Sequence, residues 1–196
     1  VEKAGNHYSL LYRCFFYDAL PYMEKGHLPI SGKAIDYAKS DQAKFRLALF
    51  DLLRRRANFA VRLGQVRKER SWILSEDAQK AILSGTRTPA DLKDEDFYPG
   101  LRQKAVDMRI GVDIASISLK RQADTIVLVA GDSDFVPASK LARREGVRIV
   151  LDPMWRSVEA SLFEHIDGLR SGFPQPKPKD KAAEAAPAPQ PQDPAE

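Results

Sequence analysis

The chain has 196 residues, a formal net charge of +4, a sequence pI near 9.1 and 43% hydrophobic residues. That length supports one core of ordinary size, and so small a positive balance does not by itself establish nucleic-acid binding. The single cysteine, Cys14, excludes an internal disulfide. No stretch reaches the roughly 18 apolar residues of a membrane span and no secretory apolar region is visible, so a reducing, cytoplasmic setting is expected.

In chain order, Phe15, Phe16 and Tyr17 predict a strand closing at Asp18, and the turn-forming stretch PYMEKGHLPISG reads as a loop. Ser40 is placed to cap a helix through Asn58. Phe45, Leu49, Leu52 and Leu53 fall on one of its faces, and Arg54, Arg55 and Arg56 lie near its end, where the dipole favours cations. Phe59 to Leu63 reads as a second strand. Arg67 to Gly100 is polar and irregular, an insertion at the end of the sheet in which only Glu76 to Leu83 has helical character. Val106, Met108 and Ile110 alternate as a strand does, and Asp113 then opens a helix with Ile114, Ile117 and Arg121 on one side.

The run Ile126 to Val129 has the composition of a strand covered on both faces, and Gly131 lets the backbone turn. From Ser133 or Asp134 onward, Phe135, Ala138, Leu141 and Ala142 recur at helical spacing, with Pro137 tolerated in the first turn. Val147 to Leu151 makes a last strand, and Trp155 to Leu169 a closing helix docked through Val158, Leu162 and Ile166. Residues 174–196 hold seven of the thirteen prolines and almost no apolar bulk, so a disordered, solvated tail is expected after a domain spanning 1–173. Alternating strands and helices predict a mostly parallel sheet between two helical layers.

The most informative stretch is DTIVLVAGDSDFVPASKLARR, Asp124 to Arg144. It drives an apolar strand into two aspartates, Asp132 and Asp134, at the carboxyl end where open α/β sheets bind ligands. A plain reading makes one of them a helix cap and leaves the other solvated. The second strand-to-helix turn, ending at Asp113, tips the balance. If the two strands are neighbours, Asp113, Asp132 and Asp134 converge on one crevice, where like charges call for a neutralising cation. Hard oxygen ligands of this kind suit Mg²⁺ or Mn²⁺.

The motifs KAVDMRIGVDIASISLKR and DTIVLVAGDSDFVPASKLARREGVRIVL together resemble the NYN domain, a branch of the PIN-like nucleases, over about Tyr12 to Leu151. The resemblance implies a Rossmann-like or flavodoxin-like α/β domain that cuts RNA with a divalent metal held by aspartates. The matching acids are Asp113, Asp132 and Asp134. Lys104 and Asp107 match the family's K-x-V-D stretch, with Asp107 read as structural. The family pattern opens with an apolar strand that ends in an aspartate and lies at the sheet's centre. Here VEKAGNHYSLLYRCFFYDALPY matches the approach to the family's second strand, so the domain is expected to be incomplete at its N-terminus. PIN-like domains often pair, which makes a homodimer an implied assembly.

Basic residues support an RNA reading. Lys104, Arg102, Arg67 and Lys68, with Arg54 to Arg56, Arg70, Lys120 and Arg121, could line a phosphate approach, although each group alone reads more readily as a solvated loop or helix end. Tyr8, Tyr12, Trp72 and Tyr98 are candidates for stacking on unpaired bases, against the ordinary reading of core and rim aromatics. Other chemistries fare worse. His7, His27 and His165 have no ligand spacing, and neither a G-x-S-x-G elbow nor a P-loop occurs. GDSDF partly imitates the G-D-x-x-x-D turn of haloacid dehalogenase phosphatases, but Val136 stands where the second acid belongs. The sequence therefore predicts a metal-dependent endoribonuclease acting on RNA phosphodiesters, with Mg²⁺ or Mn²⁺ at Asp132, Asp113 and Asp134. The alternative is a non-catalytic RNA- or protein-binding regulatory module on the same fold.

Overall fold

The computed structural model describes residues 3–4, 7–8, 10–172 and 174–175. The expected disordered tail lies almost wholly outside the described residues. Two short strands, β1 (Lys3–Ala4) and β2 (His7–Tyr8), pair antiparallel ahead of β3 (Cys14–Leu20). A small hairpin follows, β4 (Lys25–His27), inside the stretch read as a loop, with β5 (Ala34–Asp36) just after it. Helix α1 (Asp41–Arg54) starts where the sequence places its cap, with Ser40 Oγ accepting from the Ala43 amide at 3.2 Å. Its inward residues are Ala43 and Phe50, not the expected Phe45 and Leu52, which are exposed. Leucine and phenylalanine on two sides of one helix leave the buried side undetermined until the sheet is placed.

Strand β6 (Phe59–Leu74) begins as predicted but runs far beyond Leu63. After α2 (Glu76–Leu83), the chain returns as β7 (Phe97–Lys104), antiparallel to β6. Most of the supposed irregular insertion is thus a long two-stranded ribbon. Its middle, Arg67–Arg70, is exposed and charged, so that stretch carries no apolar alternation to read. Gly64 lets β6 pass under the end of β7, where a Cβ would press on the Lys104 carbonyl and approach Val106 Cγ2 to 2.8 Å. Ala105 then turns the chain with a left-handed φ of 67° into α3 (Val106–Leu119).

That helix corrects the sequence reading. Val106, Met108 and Ile110 are helical, and Asp113 sits mid-helix instead of opening it. Ile110, Ile114 and Ile117 recur at helical spacing, and this longer signal prevails over the short alternation ahead of it. Strand β8 (Thr125–Leu128), helix α4 (Val136–Arg144) and strand β9 (Arg148–Leu151) follow as expected. The predicted closing helix is one turn only, α5 (Ala160–Phe163), and residues Gly168–Leu169 form β10 instead. Leu162 is nevertheless fully buried, with Val158 and Ile166 packed beside the same cluster.

Besides the β1–β2 and β4–β5 pairs, the described strands form two three-stranded sheets, in the orders β3-β6-β7 and β10-β9-β8. β3 and β6 are parallel, as are β8, β9 and β10, while β6 and β7 are antiparallel. In place of the mostly parallel sheet that the sequence predicts, the described residues divide their longer strands between two sheets, one of them parallel and the other mixed. Helices α1 and α3 lie on opposite faces of β3. Phe16 meets Phe50 of α1 and Asp18 pairs with Arg46, whereas Tyr17, one residue between them, bonds Asp113 of α3. The main core joins Ile114, Leu128, Phe135, Ala142, Val147, Ile149, Leu151 and Leu162, on the α3 and α4 side of β8 and β9.

Candidate active site at the carboxyl ends of the strands

The GDSDF turn leaves the end of β8 and enters one 3₁₀ turn, Ser133–Phe135, before α4. Phe135 is buried in the core and pins the turn. Gly131 passes so close to the loop after β9 that a Cβ there would stand 3.2 Å from the Ser157 carbonyl oxygen. Asp132 caps the turn, its Oδ1 accepting from the Asp134 amide at 3.0 Å. The capping role is thus real for Asp132, and it occupies one oxygen only. Both Asp132 and Asp134 are exposed at the strand mouth.

Asp113 is elsewhere. From the middle of α3 it faces β3 and β6, its Oδ2 accepting from Tyr17 Oη at 2.8 Å and from Arg62 Nε at 3.1 Å. Burial, and then the bond to Asp113, push the Tyr17 hydroxyl far above its ordinary range, so it stays a neutral donor. The Arg62 guanidinium lies 5.5 Å over the Phe15 ring and balances the Asp113 charge. The residue at the mouth end of α3 is Asp107, exposed in the first turn. The register shows why. Leu20 ends β3 opposite Gln65, and Gln65 also faces Lys104 at the end of β7, so α3 starts level with the end of β3 and runs down to the start of β8. The sequence gives Asp107 a structural reading, with Val106–Ile110 taken as a strand, whereas the structure places it in the first turn of a helix.

The four basic residues expected to contact RNA all fall on the β6–β7 ribbon. Arg67 lies directly opposite Arg102, with Lys68 and Lys104 beside them. Because β3 stops opposite Gln65, this part of the ribbon extends beyond β3. Glu69 bridges Lys104 at 2.5 Å and Arg102 at 3.7 Å, and the Lys104 contact holds its carboxyl below the usual range. Arg67 donates to Gln65 Oε1 at 3.2 Å. Among the aromatics, Trp72 is half-buried and donates to the His27 carbonyl at 3.1 Å, tying the ribbon to the β4–β5 hairpin, while Tyr12 and Tyr98 are exposed. The Tyr8 side chain lies outside the described residues.

Mg²⁺ or Mn²⁺ does not fit the donors as placed. Among the described residues no three His, Cys, Asp or Glu side chains gather to hold a metal ion, and Asp113 is engaged by Tyr17 and Arg62.

One comparison with known proteins is decisive. The NYN domain family model matches residues 22–160, more than half of the chain. The chain belongs to the NYN domain family. NYN domains are PIN-like nucleases, a class that generally uses divalent metals and acts on RNA. No curated protein and no solved structure matches the chain. Among the described residues, no helix is long and apolar enough to cross a membrane.

Proposed function

We propose that this NYN domain is an endoribonuclease acting on single-stranded or loop RNA in the cytoplasm. The observations that carry the reading are Asp132 and Asp134 exposed after the carboxyl end of β8, Asp107 exposed in the first turn of α3, and the basic residues of the β6–β7 ribbon. Acid at the mouth and cations beside it are what phosphodiester cleavage needs, since the ribbon draws in the RNA backbone and the acids face the scissile phosphate. In this reading Asp132 and Asp134 are the catalytic acids. Asp113, paired with Arg62, takes part only if that pair opens. Lys104 and Arg102 exchange Glu69 for phosphate oxygens, with Arg67 and Lys68 extending the track.

Incubating the chain with labelled RNA and Mn²⁺ tests the proposal. Asp132→Asn should abolish cleavage and Asp107→Asn should cut it strongly. Cleavage that survives Asp132→Asn, Asp113→Asn and Asp107→Asn together would place the chemistry elsewhere. The engagement of Asp113 and the lack of a three-donor cluster favour a second reading, an RNA- or protein-binding module without catalysis. Saturable Mg²⁺ or Mn²⁺ binding by calorimetry supports the enzyme, and RNA binding without it supports the module.

A further inference from the structure

Strands β8 and β9 are parallel neighbours whose last residues, Leu128 and Leu151, are level, so the loops that leave them start side by side. One is the GDSDF turn. The other, residues 152–157, carries Trp155 as far along the chain beyond β9 as Asp132 stands beyond β8. The loops pass closely, since a Cβ on Gly131 would stand 3.2 Å from the Ser157 carbonyl oxygen.

The second loop is held in an unusual shape. Met154 and Trp155 have left-handed φ values of 48° and 65°, a region that non-glycine residues rarely enter because the Cβ crowds a carbonyl oxygen. The buried Asp152 fastens this shape at its base. One of its oxygens accepts from the Met154 amide at 2.9 Å and the other from the Gly172 amide at 2.8 Å, while the Arg156 amide donates to the Pro153 carbonyl at 3.0 Å. Yet the strain is not accompanied by full burial of the side chains, for Met154 and Trp155 each remain 49% exposed. Backbone strain that keeps a large aromatic half in water beside an acidic turn is better placed to serve a ligand than the core.

We propose that Trp155 is a stacking platform for an unpaired nucleobase of the RNA whose phosphate lies at the GDSDF turn. The subsite rests on the reading of that turn as an RNA-cleaving site. An indole offers a broad, uncharged face, and single-stranded RNA is recognised by stacking its splayed bases on such faces. Neighbouring strands lie about 4.8 Å apart, a step that one nucleotide spans between its phosphate and its base. Bases inside a duplex already stack on one another and have no face to give. The platform therefore selects single-stranded or loop RNA at the point of cleavage, a choice that the cations of the ribbon cannot make, since phosphate contacts are blind to the bases.

Fluorescence anisotropy on the whole 196-residue chain tests the subsite, in EDTA so that nothing is cut, with end-labelled oligouridylate, an oligomer of the same length without bases, and an RNA duplex as probes. Trp155→Ala should weaken oligouridylate binding about tenfold and leave the other two probes unchanged. Trp155→Phe keeps an aromatic face and should restore most of the affinity. Oligouridylate binding that is undiminished in Trp155→Ala overturns the subsite and leaves the RNA reading standing. So does an equal loss on the base-free oligomer, which would show that the substitution had only disturbed the loop. Failure of the unaltered chain to bind any of the probes would bring down the RNA reading and the subsite together.

Discussion

The two sheets meet different demands. The β3-β6-β7 sheet has a helix on each face and spends its far end on a charged ribbon, so polar pairs such as Asp18–Arg46 and Asp113–Arg62 help fix it. The β10-β9-β8 sheet rests on an apolar cluster in which Ile149, Leu151 and Leu162 are fully buried, and it presents the acidic turn. Its stability therefore comes from packing on one face, which leaves the strand mouth free for carboxylates. The lesson is that the acidic turn is anchored from below by Phe135 while its charges remain in water.

This contrast can be broken in order of effect. Leu162→Ala should cost the β8 half about 3 kcal/mol, read by urea unfolding, because the side chain is fully enclosed. A loss near zero would mean that the cluster does not carry that half. Gly64→Ala should cost about 2 kcal/mol in the other half, since the added carbon meets backbone that cannot easily yield. A double-mutant cycle of Arg62→Met with Asp113→Asn should give a coupling of about 1 kcal/mol, modest because the arginine is partly exposed. Coupling indistinguishable from zero would free Asp113 for a ligand role. Asp132→Asn keeps the capping oxygen, so stability should move by less than about 0.5 kcal/mol even where RNA cleavage is lost.

The smallest effect concerns pH. Arg87, and then the Lys93 amide, hold the Asp96 carboxyl down at about 2. A depressed carboxylate stabilises the fold fully above its unfolded value of about 3.9, and that contribution fades as pH falls through about 2. Exchange of the amides in 87–96 should therefore accelerate over that acid window in the native chain and show no such step in Arg87→Met.

Legibility in the sequence followed the strength of local signals. Ser40 was readable because a cap needs only its own helix, and β8, α4 and β9 because an apolar run, a turn and a helical repeat follow one another within a short stretch. The ribbon was not, since β6 and β7 hold each other through backbone bonds and bury little side chain. The start of α3 was misread because Val106–Ile110 satisfies two periodicities, and only the left-handed turn at Ala105 and the crossing at Gly64 decide between them.

By itself the sequence determined the family, the acidic turn and the order of most elements, since each depends on residues close along the chain. Tertiary structure alone decided that Asp113 answers to Arg62 and Tyr17, that Asp107 stands at the mouth, and that the basic residues share one overhanging ribbon. Those are relations between side chains distant in sequence, and their partners are fixed only when the strands take their register.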